Sequence, residues 1–358
     1  MSKKVAIIIS PNWRDYAEKY LPDFIESLRG QNYAGRTKTF MADNETSDES
    51  FSLLKNIAPE IEIIRNKTND GYAKGCNDAI RKALKDDFEY FAIFNIHTIL
   101  EPDCLRKLVE VLEGADNIGL VQGRMMLYDG NPSAGSGCNK ISSLGNKTHF
   151  LGFGYCEGYQ EKWSGQAKNG QDIFYPSGSC IMAKREVLEK IGLFDEEYWM
   201  YNEDQELGWR ARLSGWRCVL ATDAVLYNKY EFKRSIKKYY WMDRNRILAI
   251  LECYRVPTLI MIFPAFIAME IGLIFFSLKQ GWFKDKVRVW KYFFSLKNWR
   301  YILKARKRNQ RLRKINDKDI AGMITGKIWY QEIGDWKLKL VNPVFQVYWW
   351  LAKKIIFW

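Results

Sequence analysis

The chain has 358 residues, 47% hydrophobic and 27% charged, with a formal net charge of +13. This describes one large or two modest folded domains and excludes a mainly disordered chain, while the basic excess points to nucleic acid, a phosphorylated substrate or an anionic membrane as partner. Two distant histidines, His97 and His149, exclude a His-rich zinc site and the two-histidine metalloprotease helix, and seven cysteines with no CxxC spacing exclude a zinc ribbon or a local redox pair.

Val5 to Ile9 is a continuous apolar run ending at Ser10-Pro11-Asn12, the pattern of a strand covered on both faces, and too short for a secretory signal. With the scattered cysteines this gives an expectation of a cytoplasmic, reducing setting. Alternation follows: helix 15–28, strand 38–42, helix 47–56, strand 61–64, helix 72–84, strand 90–94 and helix 102–112. Strands and helices at this pitch imply right-handed crossovers and a mostly parallel sheet with helices on both faces. Ligands in such sheets sit beyond the carboxyl ends of the strands. Those ends carry Pro11-Asn12, Asp43-Asn44, Asn69-Asp70-Gly71 and Asn95-Ile96-His97.

A strand at 119–127 leads to a Gly/Ser/Asn-rich stretch, 129–147, with the look of a long functional loop. A strand at 179–183, a helix at 185–191 and a helix opening on Glu203-Asp204 follow, then two short strands, 218–221 and 224–226, and a long helix over 232–253. The acids at the start of the 203–214 helix and Arg210 and Arg212 near its end suit the helix dipole. Residues 1–252 carry a net charge of −2 and residues 253–358 a net charge of +15, with eight of the fourteen tryptophans in the latter. The boundary between the α/β domain and a basic, aromatic tail is therefore placed at 252/253.

Carboxylates and amides at strand ends suit a divalent cation and the phosphates it clamps, and a separate carboxylate suits a general base. Each acid alone reads as a solvated loop residue; their order along the chain favours a site. The runs VAIIISPNWRDYAEKYLPDFIESL, MADNETSDES, NDGYAKGCNDAI, FNIHTILEPDCL, IGLFDEEYWMYNEDQELGWRARLSGWR and YYWMDRNR, in that order over residues 4–250, resemble the family 2 glycosyltransferases, inverting enzymes with the GT-A fold. The resemblance implies an α/β fold with a mostly parallel central sheet. It implies that Pro11 and Asn12 line the nucleotide pocket, that Asp43 meets the base or ribose, and that Gly71 and Asn77 shape the donor wall. Asn95 and His97 fall on the Asp-x-Asp or Asn-x-Asp motif that holds the diphosphate and its metal. Ser177, Gly178 and Ser179 match the small-residue segment near sugar and acceptor, and Glu203-Asp204 matches the pair whose aspartate is the catalytic base, with Glu203 as orienting neighbour.

Two positions depart from the pattern. His97 stands where relatives usually have the metal-binding aspartate, and Asn228 where they usually have a histidine. Three readings stay open. One is a cation held by His97 and Asn228, with Mn²⁺ favoured over Mg²⁺. The second is metal-independent catalysis supported by Lys229, Lys233 or Arg244. The third is a degenerate transferase that binds nucleotide sugar as a scaffold. A Gln-x-x-Arg-Trp motif, the mark of a processive synthase, is missing from the sequence; Asp243-Arg244-Asn245-Arg246 is similar to single-addition relatives.

Beyond the boundary, 256–278 is apolar apart from Glu270 and, as a helix about 34 Å long, matches a hydrocarbon core of about 30 Å. Residues 279–314 carry fourteen basic side chains and one acidic one, which favours the cytoplasmic side. The expectation is a re-entrant hairpin bent near Pro264 or an interfacial segment, then an amphipathic, polybasic stretch over 279–316 with Phe283, Val287, Trp290 and Phe294 on one face, then an aromatic tail over 328–358. Together these lead to a non-processive hexosyl- or deoxyhexosyltransferase at the cytoplasmic membrane face. It would use a nucleotide-diphospho-sugar donor and a polyprenyl-diphosphate-linked or cell-surface glycan acceptor, with no nucleic acid partner. A soluble acceptor is the enzymatic alternative.

Overall fold

The structure, a computed structural model, describes residues 3–12, 16–44, 47–128, 130, 139–229, 236–328 and 336–358. The first half alternates β1 (Val5–Asn12), α1 (Tyr16–Arg29), β2 (Thr37–Asn44), α2 (Asp48–Ile57), β3 (Glu62–Asn66), α3 (Gly71–Ala83), β4 (Tyr90–Phe94), β5 (Thr98–Leu100), α4 (Cys104–Leu112) and β6 (Ile118–Leu127). Short strands β7 (Ile141–Ser143), β8 (Asn146–Thr148), β9 (Gly154–Cys156) and β10 (Gln171–Asp172) precede β11 (Cys180–Lys184), α5 (Arg185–Ile191), α6 (Glu203–Leu213) and β12 (Arg217–Asn228). The chain then becomes helical: α7 (Ile236–Cys253), α8 (Val256–Gln280), α9 (Phe283–Phe293), α10 (Leu296–Leu312), α11 (Asp317–Met323) and α12 (Trp336–Ile355). The chain forms two compact units. One comprises Met1–Asn146, Cys156–Leu207 and Trp216–Glu231, the other Lys147–Tyr155, Gly208–Gly215 and Phe232–Trp358.

In the first unit the sheet order is β10-β12-β6-β11-β4-β1-β2-β3, with β5 on β12 and β7 on β6. β1 is parallel to β2 and β4, β2 to β3, and β6 to β12, whereas β11 is antiparallel to β4 and β6. Val5 to Ile9 are buried on both faces, as the uninterrupted apolar run requires, and each such side chain contributes about 1.5–3 kcal/mol relative to exposure. α2 starts where Ser47 accepts a hydrogen bond from the Ser50 amide at 3.2 Å. The parallel arrangement brings the carboxyl ends of β1, β2, β3 and β4 to one edge.

Two sequence expectations change. The pair of strands at 218–221 and 224–226 is the single β12, whose register slips between Ala221 and Val225. The polar Thr222-Asp223 break is an irregularity within one strand: the Thr222 amide donates to Asn169 Oδ1 at 2.9 Å, which satisfies the backbone where the ladder is interrupted. The 256–278 segment is one unbroken helix with Pro264 inside it, not a hairpin, and it ends at Gly281 in the left-handed region (φ 76°). Of the expected loop at 129–147, residues 129 and 131–138 lie outside the described residues, and its second half is not a loop but carries β7 and the start of β8.

The second unit is built around a buried ion cluster. Lys286 Nζ donates to Asp243 Oδ2 at 2.7 Å and to Glu270 Oε2 at 2.6 Å, while Arg246 Nε donates to Asp243 Oδ1 at 2.8 Å and its other nitrogen pairs with Glu270. This explains the face that α9 buries. Lys286, Val289 and Tyr292 point inward, and Phe283, Val287 and Trp290 are only half-covered, because two carboxylates draw Lys286 into the interior. Lys286→Ala leaves two buried carboxylates sharing one arginine. It is expected to cost about 3–5 kcal/mol, read as a lowered denaturant midpoint.

Candidate active site

The strand ends and the turn before β11 converge on Ser177-Gly178-Ser179. The Gly178 amide donates to Asp204 Oδ2 at 2.8 Å, and the Gln205 amide donates to Asp204 Oδ1 at 2.8 Å. On the other side of the same residue, Tyr72 from α3 donates its hydroxyl to the Gly178 carbonyl at 2.7 Å. Ser179 Oγ accepts from Asn95 Nδ2 at 2.8 Å, and Gln122 Oε1 accepts from the Ser177 amide at 2.6 Å. One three-residue turn thus ties together the end of β4, helix α3, strand β6 and the start of α6. A Cβ at Gly178 would lie 3.4 Å from the Tyr72 hydroxyl and 3.6 Å from both Asp204 Oδ2 and Glu203 Oε1, ordinary contact distances that place this residue against both carboxylates.

The carboxylate pair is electrostatically unusual. Burial pushes Asp204 up to about 6, held from rising further by the amides of Gly178 and Gln205. Burial and then the charge of Asp204 push Glu203 well above the ordinary carboxylate range, and its Oε2 is buried without a hydrogen-bond partner. Glu203 therefore holds its proton to higher pH than Asp204, and Asp204 is the member that ionises first and is able to take a proton from a bound hydroxyl.

The segment leading to this pair is strained. Trp199, Tyr201 and Asn202 all have positive φ (59°, 68° and 63°), conformations that bulky side chains adopt only when their surroundings hold them. Here α3 is the holder. The Ala73 amide donates to the Trp199 carbonyl at 3.1 Å, and any Cβ on Gly71 (φ 91°) would lie 2.5 Å from that oxygen. Asn77 fixes the neighbouring stretch, donating to the Phe194 carbonyl at 2.8 Å and Glu196 Oε1 at 2.9 Å and accepting from the Phe194 amide at 3.1 Å. Its side chain is committed to this wall.

At the other strand ends, Asp43 is fully buried with Arg65 Nε 3.9 Å from its carboxylate, and Asn12 is its register partner across β1 and β2. Pro11 packs on α3, where a Cβ on Gly75 would meet its ring at 2.6 Å. Asn95 Oδ1 is buried without a hydrogen-bond partner, and Asn95 Nδ2 is 3.5 Å from His97 Nε2. Burial pushes His97 down to about 4, so the ring is neutral at physiological pH. Thr98 lies opposite Asn228 in the β5–β12 ladder, which brings His97 and Asn228 to the same corner, but the Asn228 carboxamide donates to Ser142 Oγ at 3.3 Å. Among the described residues no three His, Cys, Asp or Glu side chains form a cluster able to hold a metal. Of the basic side chains considered for the diphosphate, Lys229 is paired with Asp23 and lies over Tyr128, and Lys233 is outside the described residues. Arg244 belongs to the second unit, stacked among Tyr240, Trp241 and Tyr292. His149, also in the second unit, is a core residue, its Nδ1 accepting from the Leu151 amide at 3.2 Å.

The fold has counterparts among known proteins. The profile described as glycosyl transferase family 2 matches residues 7–192, just over half of the chain. The chain belongs to glycosyl transferase family 2. It is 26% identical over 222 residues to a low-salt glycan biosynthesis hexosyltransferase of Haloferax volcanii, covering 60% of this chain and 68% of that protein. Over 54 residues, 15% of this chain and 18% of the relative, it is 44% identical to an N-acetylglucosaminyl-diphospho-decaprenol L-rhamnosyltransferase of Mycobacterium tuberculosis. Among solved structures it resembles GalNAc-T7 bound to UDP, GalNAc and Mn²⁺ (TM-score 0.53, 12% identity, 70% of this chain and 48% of that one). It also resembles TarS residues 1–349 of S. aureus (TM-score 0.50, 16% identity, 99% of this chain and 88% of that one). The chain thus spans less than half of the GalNAc-T7 structure and under a fifth of the rhamnosyltransferase. These likenesses establish a glycosyltransferase with the GT-A fold.

Within this family 2 glycosyltransferase, three features are not evident from the motif positions: the Tyr72 hydroxyl, the buried Gln122 and the left-handed run before Glu203. Gln122 had a signal, a polar residue inside the apolar run of β6. Asn202 had a weaker one, since asparagine tolerates φ > 0. Trp199 and Tyr201 had none. Burial keeps the Tyr72 phenol well above its ordinary value, so it remains a donor to Gly178. Tyr72→Phe is expected to lower kcat about tenfold with little change in KM or melting temperature, because it loosens the turn that aims Asp204 without removing a substrate contact.

Proposed function

We propose that this glycosyltransferase moves one sugar from a nucleotide-diphospho-sugar to a lipid-linked or cell-surface glycan precursor at the cytoplasmic face of the membrane, with inversion at the anomeric carbon. The observation that carries the reading is Asp204: buried, fixed by two backbone amides and poised to ionise near pH 6 beside a protonated Glu203. Asp204 takes the proton of the acceptor hydroxyl as its oxygen bonds to the anomeric carbon. The bond from that carbon to the diphosphate breaks on the opposite face, and the electron pair leaves on the nucleoside diphosphate. Glu203, being neutral, adds no second negative charge beside the base. Pro11, Asn12 and Asp43 form the nucleotide end of the donor site and Gly71 and Asn77 its wall, while Ser177 to Ser179 lie toward sugar and acceptor.

The diphosphate corner fits a cation of the Mn²⁺ kind better than Mg²⁺, since it offers the unpartnered Asn95 Oδ1 and the neutral His97 imidazole and no clustered carboxylates. Such an ion, bound together with the donor, supplies charge neutralisation on the leaving diphosphate. The names of the relatives support the acceptor class: one is a hexosyltransferase of low-salt glycan biosynthesis, and the other acts on a diphospho-decaprenol carrier. The apolar α8 and the +15 charge of residues 253–358 support an anionic membrane partner.

The test uses a panel of nucleotide sugars, first for acceptor-independent hydrolysis and then for transfer to polyprenyl-diphosphate-linked acceptors. Asp204→Asn is expected to lower transfer on the order of 10²- to 10⁴-fold with donor binding retained. Transfer undiminished in Asp204→Asn would contradict the assignment.

A further inference from the structure

We infer that α8 lies in the plane of a membrane surface without crossing it, and that α12 completes a single apolar face that binds anionic lipid. This rests on the membrane-side reading above and specifies its geometry. By length and composition α8 is able to span, and it is mostly uncovered. Its exposed positions include Ile260, Phe263, Ile267, Ile271 and Phe275, spaced by three or four residues, so they form one stripe along the helix. From Val256 to Phe275 no exposed position of α8 is charged.

The opposite side decides against crossing. Glu270 lies near the middle of α8, where a spanning helix would place it at bilayer mid-depth, and it is gripped by Arg246 of α7 and Lys286 of α9, which are 1% and 0% exposed. The grip fastens α7 and α9 to the middle of α8. α9 also carries Lys284, Arg288 and Lys291, all exposed, with the Arg288 side chain 60% exposed. A crossing α8 would drag these charges into hydrocarbon, whereas an α8 lying flat keeps them in water or among headgroups. An apolar stripe on one side and a charged, ion-paired side on the other is the pattern of an in-plane element.

α12 is held on α8 by the Tyr348 hydroxyl, which donates to the Met261 carbonyl, and by Trp358 Nε1, which donates to Thr258 Oγ1 at 2.8 Å. Its own exposed residues include Val344, Val347, Leu351 and Ile355, and Lys354 folds over Trp350 with its ammonium 3.5 Å from the ring centre, as a lysine does at an apolar–aqueous boundary. An apolar surface of this extent exceeds what scattered surface hydrophobics give. The occupant is lipid, and charge complementarity identifies its headgroup. α10 exposes Lys297, Arg300, Lys304, Lys307 and Arg311 at alternating spacings of three and four, a continuous basic stripe, with Trp299 and Leu303 exposed beside it.

The experiment is flotation of the full chain with vesicles of phosphatidylcholine alone and of phosphatidylcholine mixed with phosphatidylglycerol, with no sugar acceptor present. Binding is expected to the mixed vesicles, weaker in high salt. It should fall at least tenfold in Phe263→Asp/Ile267→Asp and fall with lost salt dependence in Lys304→Glu/Lys307→Glu. On bound vesicles, a membrane-impermeant amine label should modify Lys297, Lys304 and Lys307 equally before and after detergent opening, in step with lysines of the first unit such as Lys38. Labelling of either set only after opening would mean that α8 crosses, and would overturn the inference. So would a chain that ignores both vesicles and elutes as a dimer dissociated by Phe263→Asp/Ile267→Asp, which would assign the face to a second copy. Flotation without transfer to a lipid-linked acceptor would count against the acceptor reading alone.

Discussion

The hydrogen bond from the Gly178 amide to Asp204 is the contact on which the catalytic unit turns. It fixes one carboxylate oxygen, limits how far burial raises the pKa of that group, and does so from a turn that also holds Asn95 through Ser179 and is itself held by Tyr72 and Gln122. The expected donor end of the site and its base are therefore parts of one hydrogen-bonded assembly. Gly178 lies against the Tyr72 hydroxyl and both carboxylates, with room for a Cβ at ordinary contact distance from each.

Strain on one side of that assembly is balanced by packing on the other. Three left-handed non-glycine residues precede Glu203, a local cost on the order of 1–3 kcal/mol each. Helix α3 holds this run through the Trp199 carbonyl, and Asn77 pins the stretch just before it. The same α3 supplies Tyr72 and packs on Pro11, so the helix of the proposed donor wall also holds, through Gly178, the position of Asp204. In the second unit a different electrostatic solution appears: four charges are buried together, two of each sign, and they determine which faces of α8 and α9 turn inward.

Much of this was legible in the sequence. The apolar run of β1 and the strand–helix alternation gave the parallel sheet, and α5 and β4 fall at the residues expected. Asp204, Asn95 and the Ser177–Ser179 turn come together as their order suggested. What was not legible depends on partners distant in sequence. Lys286 is one basic residue among many in the 279–316 stretch, and its buried place becomes visible only with Asp243 and Glu270 around it. Pro264 reads as a bend, yet α8 runs unbroken from Val256 to Gln280 with Pro264 inside it. Thr222-Asp223 reads as a strand end because the asparagine that satisfies its backbone, Asn169, is 53 residues away. Tyr72 lies inside a recognised motif, but its task depends on a carbonyl 106 residues further on.

The account stands on Asp204 as a base that ionises near pH 6 beside a carboxyl that stays protonated. A carboxyl raised to about 6 is charged above that pH and loses its charge below it, so base-dependent turnover is present at neutral pH and falls as pH drops through about 6. The most direct measurement is kcat/KM against pH for the wild type and Glu203→Gln. The account predicts a single acid limb near pH 6 in both, because glutamine replaces a group already neutral. A limb near pH 4, the ordinary range of a solvated carboxylate, or its disappearance in Glu203→Gln, would contradict it.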